Sequence, residues 1–179
     1  MILSHKRAKD ETEIRKDALK WGKSATVGQL RISLKSARLD IINGESLAGQ
    51  LYQSNSLGLV VVLLIETHDK TKVYKVEGST EMATLTDTLG NEIPGKKLTD
   101  EFGFPCRIQN QLNPRRSHEV RSDGPLIDTL DFDKPVEAAT DLMLHLDARA
   151  FGGSDDIYFE IPVEVWKPGF NRGRAGRRP

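Results

Sequence analysis

The stretch LGLVVVLLIETHDKTKVYKVEG, residues 57–78, is the most apolar part of the chain and decides its fold class. A membrane-spanning helix needs about 20 apolar residues, but the apolar run of residues 57–65 is followed at once by Glu66. The run is rich in β-branched side chains, which pack well in a pleated sheet and lose rotamer freedom in a helix. These residues are Val60, Val61, Val62 and Ile65. The run therefore predicts a β-strand.

The residues after this strand predict a hairpin. The sequence HDKT at 68–71 has the composition of a tight surface turn, and KVYKV at 72–76 resumes β-type composition. Because the strand is apolar without alternation, both of its faces should be covered. An opposite sheet would cover one face. The N-terminal segment, the loop of residues 94–125 or a second subunit would cover the other.

Downstream segments alternate apolar and polar residues with the period of two that half-buried strands show. This pattern holds in LDF at 130–132, LMLHLD at 142–147 and IYFEIPVEV at 157–165. The pattern places Leu130 and Phe132 inward and Asp131 on the wet face. Pro162 cannot donate a ladder hydrogen bond, so the last strand should lie at an edge or break there. ATLTDTLGNEI at 83–93 adds a strand and a Gly-Asn turn.

The first long segment changes phase near Ser36. Its apolar residues fall on even positions up to Leu34 and on odd positions from Ala37. A bulge, or a bend that carries the strand from one sheet to the other, would produce this change. Helical spacing is confined to residues 10–21, where Ile14, Ala18 and Trp21 recur.

About seven strands at this spacing predict an all-β protein, specifically an immunoglobulin-like antiparallel β-sandwich. A short N-terminal helix and a basic C-terminal tail would flank it. The predicted units are a charged segment at 1–24, the sandwich at 25–167 and a flexible basic tail at 168–179. Cys106 is the only cysteine, so no intrachain disulfide forms, which fits a reducing compartment.

Charge is balanced overall but not along the chain. The formal net charge is zero, with +3 in residues 1–24, +5 in residues 167–179 and −8 between them. A basic end on an acidic body either binds an anionic partner or lies on its own domain. The N-terminus lacks the pattern of a signal peptide, so the sequence as written predicts a cytoplasmic protein.

Several motifs resemble bacterial domains of the DUF4352 type, in the order seen there. They are GQLRISLKSARL at 28–39, the segment around VVVLLIETHDKTKVYKV, ATLTDTLGNEI, and the closing region with Phe151, Gly152, Gly153, Ile161 and Pro162. The resemblance covers roughly residues 25–166 and implies an immunoglobulin-like sandwich. It implies no catalytic residue. Family members commonly lie outside the cytoplasmic membrane, so the resemblance favours a cell-envelope location.

Candidate metal ligands are dispersed. The four histidines show no HxH or HExxH spacing, which predicts no histidine-based metal centre; they are His5, His68, His118 and His145. Acidic residues cluster at 128–137 and 155–156, where oxygen-rich loops would suit calcium. These residues are Asp128, Asp131, Asp133, Glu137, Asp155 and Asp156. Cys106 has Arg107 as a neighbour that would favour a thiolate, but a lone cysteine is usually inert packing.

The sequence contains no phosphate-binding glycine loop, dinucleotide fingerprint or nucleophile elbow. This predicts a protein that is not an enzyme and has no cofactor. Arginine is the residue best suited to phosphate contacts, and two stretches supply it. The candidate anion or partner contacts are Arg115, Arg116, Arg121, Arg172, Arg174, Arg177 and Arg178.

The sequence favours a non-catalytic interaction module that binds a protein partner or self-associates. Association would bury the second face of the doubly apolar strand, if the rest of the chain leaves that face exposed to solvent. One alternative is a binder of nucleic acid or another anionic polymer, through the arginine-rich loop and tail. A second alternative is a calcium-binding or enzymatic set of loops at one end of the sandwich.

Overall fold

Eleven β-strands form the framework of the described residues in this computed structural model, which describes residue 14 and residues 17–170. Their paired neighbours all run antiparallel. A short helix, α1 (Val163–Trp166), follows the last strand. The strands are β1 (Ser24–Val27), β2 (Leu30–Glu45), β3 (Leu51–Thr67), β4 (Tyr74–Glu77), β5 (Ala83–Asp87), β6 (Glu92–Ile93), β7 (Arg107–Ile108), β8 (Ser117–Val120), β9 (Leu126–Asp133), β10 (Leu142–Leu146) and β11 (Ile157–Ile161).

Two sheets pack face to face, as the predicted all-β sandwich requires. The first sheet has the order β1-β2-β3-β9, with β7 also paired to β2, and the second has the order β11-β10-β5-β6. Strands β4 and β8 form a separate two-stranded ribbon. Both sheets contribute to one main core, whose fully buried members include Leu59, Val61, Leu63, Leu130, Leu85, Leu144 and Phe159.

The apolar run forms the middle of β3, which confirms the predicted strand. The predicted hairpin is wrong: β3 pairs with β2 on one side and β9 on the other, whereas β4 pairs with β8. Because β3 already has a neighbour along each edge, the chain after residue 67 has no place beside it. The polar residues 68–71 therefore lead out of the sheet into the β4–β8 ribbon.

Both faces of β3 are covered, but unequally. Its inward residues, from Leu59 to Ile65 at every second position, are fully buried in the main core. On the outward face, Val60 packs in a second cluster with Ile42, Leu98, Cys106 and Ile108. Three members of that cluster come from the loop of residues 94–125, so one of the three predicted covers is confirmed. Val62 and Leu64, further along, are only partly buried.

The predicted phase change in β2 is a β-bulge. The pairing with β3 shifts between Leu34 and Ser36, so Lys35 is the extra residue. The strand nevertheless stays in one sheet, because it pairs with β3 on both sides of the bulge. The suggestion that it crosses between sheets is wrong. A second shift lies between Ile41 and Asn43.

The predicted edge position of the last strand and its break at Pro162 are confirmed, and only the alternation predicted for the residues beyond Pro162 is wrong. Strand β11 ends at Ile161, and residues 163–166 form α1 instead of continuing the alternation. Buried polar contacts hold this helix: Val163 N donates to Asp141 Oδ1 at 2.9 Å, and the Trp166 indole donates to the Thr140 carbonyl at 2.9 Å. The predicted alternation in β10 and the turn between β5 and β6 are confirmed.

The N-terminal helix prediction falls largely outside the described residues. Ile14 and Asp17 are helical, but Leu19 is extended and lies along β11. Leu19 N donates to the Tyr158 carbonyl at 2.8 Å, and Glu160 N donates to the Leu19 carbonyl at 2.9 Å. Residues 171–179 of the predicted tail also lie outside the described residues.

The free side of β9 is covered by the long loop. Asp133 N donates to the Pro94 carbonyl at 2.8 Å and Lys96 N donates to the Asp131 carbonyl at 2.7 Å. Further along, Thr129 N donates to the Asn110 carbonyl at 3.2 Å. The loop is therefore attached to β9 at residues 94–96 and again at Asn110. The residues between these two points include β7, which pairs with β2 instead.

Gly58 is expected to be required for the packing of β3. A Cβ at this position would lie 2.5 Å from Ile42 Cδ1 and 2.6 Å from the Phe132 carbonyl oxygen. Because the second atom belongs to a backbone, Gly58→Ala should destabilise the fold by about 1–3 kcal/mol. Gly124→Ala is the matched control, since a Cβ there meets nothing within 4 Å. Urea unfolding of both variants is the measurement, and equal midpoints would contradict the packing.

Candidate binding groove and apolar arm

A groove of about 560 Å³ lies on the outer face of the first sheet. Its base follows two rows of paired residues across β9, β3 and β2. One row is Asp131–Val60–Arg38 and the other is Thr129–Val62–Ser36. Neighbouring strands lie about 4.8 Å apart, so each row spans roughly 10 Å. We call this concavity the outer groove; it is lined by Lys35, Ser36, Arg38, Asp40, Ile41, Ile42, Asn43, Val60, Val62, Arg107, Ile108, Gln109, Asn110, Gln111, Leu112, Ile127, Thr129 and Asp131.

The segment after β7 forms one wall of the outer groove. Gln109 N donates to the Asn43 carbonyl at 2.9 Å, and the Thr129 hydroxyl donates to the Gln109 carbonyl at 3.2 Å. Asn110 then adopts a left-handed conformation, with φ of 62°, which asparagine tolerates better than most residues. Consecutive side-chain amides therefore line this wall.

Asp131 is a buried carboxylate at the base of the outer groove. Only 4% of the residue is exposed, and Gln111 Nε2 donates to its Oδ2 at 2.9 Å. Burial and the charge of the nearby Asp128 raise the pKa of Asp131 to about 6, against the lowering effect of hydrogen bonds from Gln111 and Thr129. The prediction that Asp131 lies on a wet face is wrong, because the long loop returns to cover it.

Cations lie at the rim of the outer groove. Arg38 Nε donates to Asp40 Oδ2 at 3.0 Å, so this guanidinium is paired. Within the described residues, Lys35 and Arg107 have no side-chain hydrogen bond or ion pair. Both side chains are exposed. The groove therefore holds a buried anionic group at its base and unpaired cations at its edge.

Asp128 lies on the opposite face of β9 and has a different environment. Its Oδ2 accepts hydrogen bonds from Ser79 N at 3.0 Å and Ser79 Oγ at 2.9 Å, and its Oδ1 accepts one from Leu112 N at 2.9 Å. Burial raises its pKa, while these hydrogen bonds lower it. The carboxylate therefore ties the segments at 79 and 112 to β9. Its role is structural.

A second feature is an apolar arm at one end of the first sheet. It consists of residues 42–57, where the β2–β3 hairpin turns, and residues 98–108 of the long loop, which pair with it through β7. The arm has its own small core around Ile42, Leu98 and Cys106. Four large apolar side chains at its end are exposed: Leu47 at 97%, Leu51 at 73%, Phe102 at 77% and Phe104 at 60%.

The turn that presents the two phenylalanines is held in place by Asp100. Its Oδ1 accepts hydrogen bonds from Phe102 N and Phe104 N, both at 2.9 Å. Burial, followed by the charge of Glu101, raises the pKa of Tyr52, which shows that the loop carboxylates lie beside the hairpin. The exposed apolar side chains thus belong to two ordered segments of the arm, which also carry Glu45, Asp100 and Glu101.

A smaller cleft of about 350 Å³ lies on the outer face of the second sheet. There, the strand register places Thr84, His145 and Tyr158 in one row. Thr84 Oγ1 lies 3.2 Å from His145 Nδ1, and His145 Nε2 lies 3.3 Å from Asp156 Oδ1. The Nε2–Asp156 contact lacks hydrogen-bond geometry, and the imidazole stacks on Tyr158 with a centroid separation of 4.8 Å. This row is a cross-strand stack on a polar face.

The predicted arginine contacts are only partly brought together. Arg115 and Arg116 are exposed in the turn before β8, and Arg121 follows that strand. Arg121 is already paired, because its Nη2 and Nε contact Glu119 Oε2 at 2.5 and 3.1 Å. Arg172, Arg174, Arg177 and Arg178 lie outside the described residues.

The acidic residues that suggested calcium do not converge. Asp128 and Asp131 point to opposite faces of β9, and Asp133 pairs with Lys96 at 3.1 Å. Within the described part of the chain, no group of three histidine, cysteine, aspartate or glutamate side chains is placed to hold a metal ion. Burial raises the pKa of the Cys106 thiol, and Asp100 raises it further, so the thiol does not favour the thiolate.

The signals for the outer groove and the arm are faint in the sequence. The groove depends on which segment returns over β3, and alternation does not encode that. The arm has one signal in the sequence, namely two phenylalanines around a glycine in the otherwise polar stretch DEFGFP at 100–105. Large apolar residues in a polar turn often mark a contact surface.

Comparisons with known proteins give little further guidance. No protein-family model and no curated protein matches this sequence. The yjhA protein from Bacillus subtilis, a solved structure, is similar at 9% identity with a TM-score of 0.44, covering 79% of this chain and 98% of that chain. Membership of a DUF4352-type family is therefore not confirmed. Among the described residues, no helix is long and apolar enough to cross a membrane.

Asp131→Asn is expected to stabilise the protein at pH 8. Because the folded pKa of about 6 lies above the unfolded value of 3.8, the folded state binds the proton more tightly, and stability falls as pH rises from about 4 to 6. Above pH 6 the buried charge of Asp131 therefore costs about 3 kcal/mol in the free energy of unfolding. Asparagine keeps an oxygen for Gln111 and removes the charge. The free energy of unfolding of the variant should therefore exceed that of the parent chain by most of this cost at pH 8 and by little at pH 4.

Urea unfolding at both pH values measures the effect, with Asp133→Asn as the control. Asp133 is on the same face of β9 but is half exposed and paired with Lys96, so its removal should change stability by less than about 1 kcal/mol. A lower stability of Asp131→Asn than of the parent chain at pH 8 would contradict the burial cost.

Proposed function

We propose that this chain is a non-catalytic β-sandwich module that binds a protein partner through the end of its apolar arm. The observation that carries the proposal is the exposure of Leu47, Leu51, Phe102 and Phe104 at that end. Large apolar side chains exposed at one end of a protein are typical of interaction surfaces. Aromatic side chains in particular act as anchors in the pockets of partners.

The order of the arm supports this proposal. The two phenylalanines are carried by a turn that Asp100 holds with two backbone hydrogen bonds, and the hairpin beside it is tied by Ser46 N to the Gln50 carbonyl at 2.8 Å. A surface that is ordered before binding loses less conformational entropy on association. The apolar residues are therefore suited to specific recognition.

The charge around the arm indicates the kind of partner. Glu45 is paired with Leu51 across the hairpin, and Asp100 and Glu101 directly precede Phe102. An arm-to-arm dimer would bring these carboxylates together, and like charges at an interface are unfavourable. A different protein with an apolar pocket and a basic rim fits better than a second copy of this chain. Self-association is thus the less favoured version of the proposal.

Binding of an anionic polymer has weaker support. The pairing of Arg121 with Glu119 removes one of the described candidate cations, which leaves Arg115 and Arg116 at one turn.

The immunoglobulin-like class and the DUF4352-type resemblance belong to the proposal as inferences from sequence, and both agree with a module that presents loops at one end of a sandwich.

The proposal predicts a partner whose binding depends on the arm. A photo-crosslinking residue in place of Ala48 should trap a partner in cells that express the full chain. The purified partner should then bind the parent chain at least tenfold more tightly than the variant Leu47→Ser/Phe102→Ser/Phe104→Ser, as expected for removal of aromatic anchors. Affinity should fall with added salt, because the arm is acidic.

Leu89→Ser/Val136→Ser is the matched control, since both residues are exposed apolar side chains outside the arm. It should bind like the parent chain, and circular dichroism should show that all variants fold. Equal affinity of the arm variant and the parent chain would refute the proposal. A crosslinked dimer of the chain itself would favour self-association, and arm-independent binding of RNA or DNA at low salt would favour the anionic-polymer alternative.

A further inference from the structure

The outer groove presents opposite charges at its base and at its rim. Asp131 lies at its base, and the groups that act on its carboxylate include a neighbouring acid but no cation. Across Val60 in the same row is Arg38, and the rim adds Lys35 and Arg107, which have no partners among the described residues. A ligand with one cationic and one anionic end would pair with both the carboxylate at the base and the cations at the rim.

The surface between these charges is mixed. Val62 and Ile127 form an apolar floor that is open to solvent, with 43% of Ile127 exposed. The wall at 109–111 carries three consecutive side-chain amides. Each amide offers both donors and an acceptor, which matches the backbone groups of a peptide. The volume of about 560 Å³ lies within the range of small-molecule sites.

We propose that the outer groove binds a short apolar peptide as a zwitterion, with its terminal ammonium group at Asp131 and its terminal carboxylate at Arg107 and Lys35. Apolar side chains of the peptide pack on Val62 and Ile127, and its amide groups pair with the wall at 109–111. The ammonium group supplies the cation that Asp131 lacks. The groove shares Ile42, Asn43, Arg107 and Ile108 with the arm, but it is not lined by Leu47, Leu51, Phe102 or Phe104, so it does not depend on the proposed protein partner.

The tripeptide Leu-Ala-Leu is the probe, measured by isothermal titration calorimetry on the full chain at pH 8. It should bind, and its N-acetylated and C-amidated forms, which each lack one charge, should bind at least tenfold more weakly. Amide shifts in NMR spectra should map to residues 107–112 and to the outward residues of β9. Binding of Leu-Ala-Leu should weaken at pH 5, where Asp131 is protonated.

Two variants test the residues individually. Asp131→Asn and Arg107→Met should each weaken binding at least tenfold, while Lys75→Met, an exposed cation on β4, should leave it unchanged. Three results would overturn the assignment: no binding of Leu-Ala-Leu at millimolar concentration, equal binding of the N-acetylated form, or shifts that map to the cleft around His145. Because Asp131→Asn is expected to be well folded at pH 8, loss of binding in it reports on the site.

Discussion

The structure depends on the requirement that an apolar strand of the first sheet, β3, be shielded from water on both faces. The second sheet shields the inward face, with Leu59, Val61 and Leu63 fully buried. Among the described residues no third sheet covers the outward face, and the long loop between β6 and β8 returns across it and buries Val60. The cover stops before Val62, and the uncovered part is the floor of the outer groove. The candidate site thus exists because the loop covers only part of the strand.

The loop also explains why two carboxylates of one strand differ in character. Asp128 and Asp131 are both buried, but Asp128 accepts three hydrogen bonds from Ser79 and Leu112, whereas Asp131 is hydrogen-bonded by two side chains, those of Gln111 and Thr129. A buried charge that is fully hydrogen-bonded serves the fold. A buried charge with few donors and a raised pKa, in a concavity, is more typical of a binding position.

Much of the fold could be predicted because side chains on a strand alternate strictly. The alternation correctly divided Leu130 and Phe132 from Asp131, and the change of phase in β2 located a bulge, because one extra residue reverses the face of everything beyond it. What alternation does not encode is which segment lies over a face or beside an edge. Such contacts between distant segments decide which strand pairs with β4, whether Asp131 is buried and where both candidate sites lie. These features could not be predicted for that reason.

Outer strands of a sheet expose unpaired backbone groups that can recruit strands from other molecules. In this protein residues 94–96 and Asn110 bond to the free side of β9, and Leu19 bonds to the free side of β11. Each sheet therefore has one margin that is sealed by irregular chain and cannot template its own extension. The segment that shapes the groove and the arm also protects against aggregation, because its local unfolding would expose the edge of β9 and the outward face of β3 to neighbouring molecules.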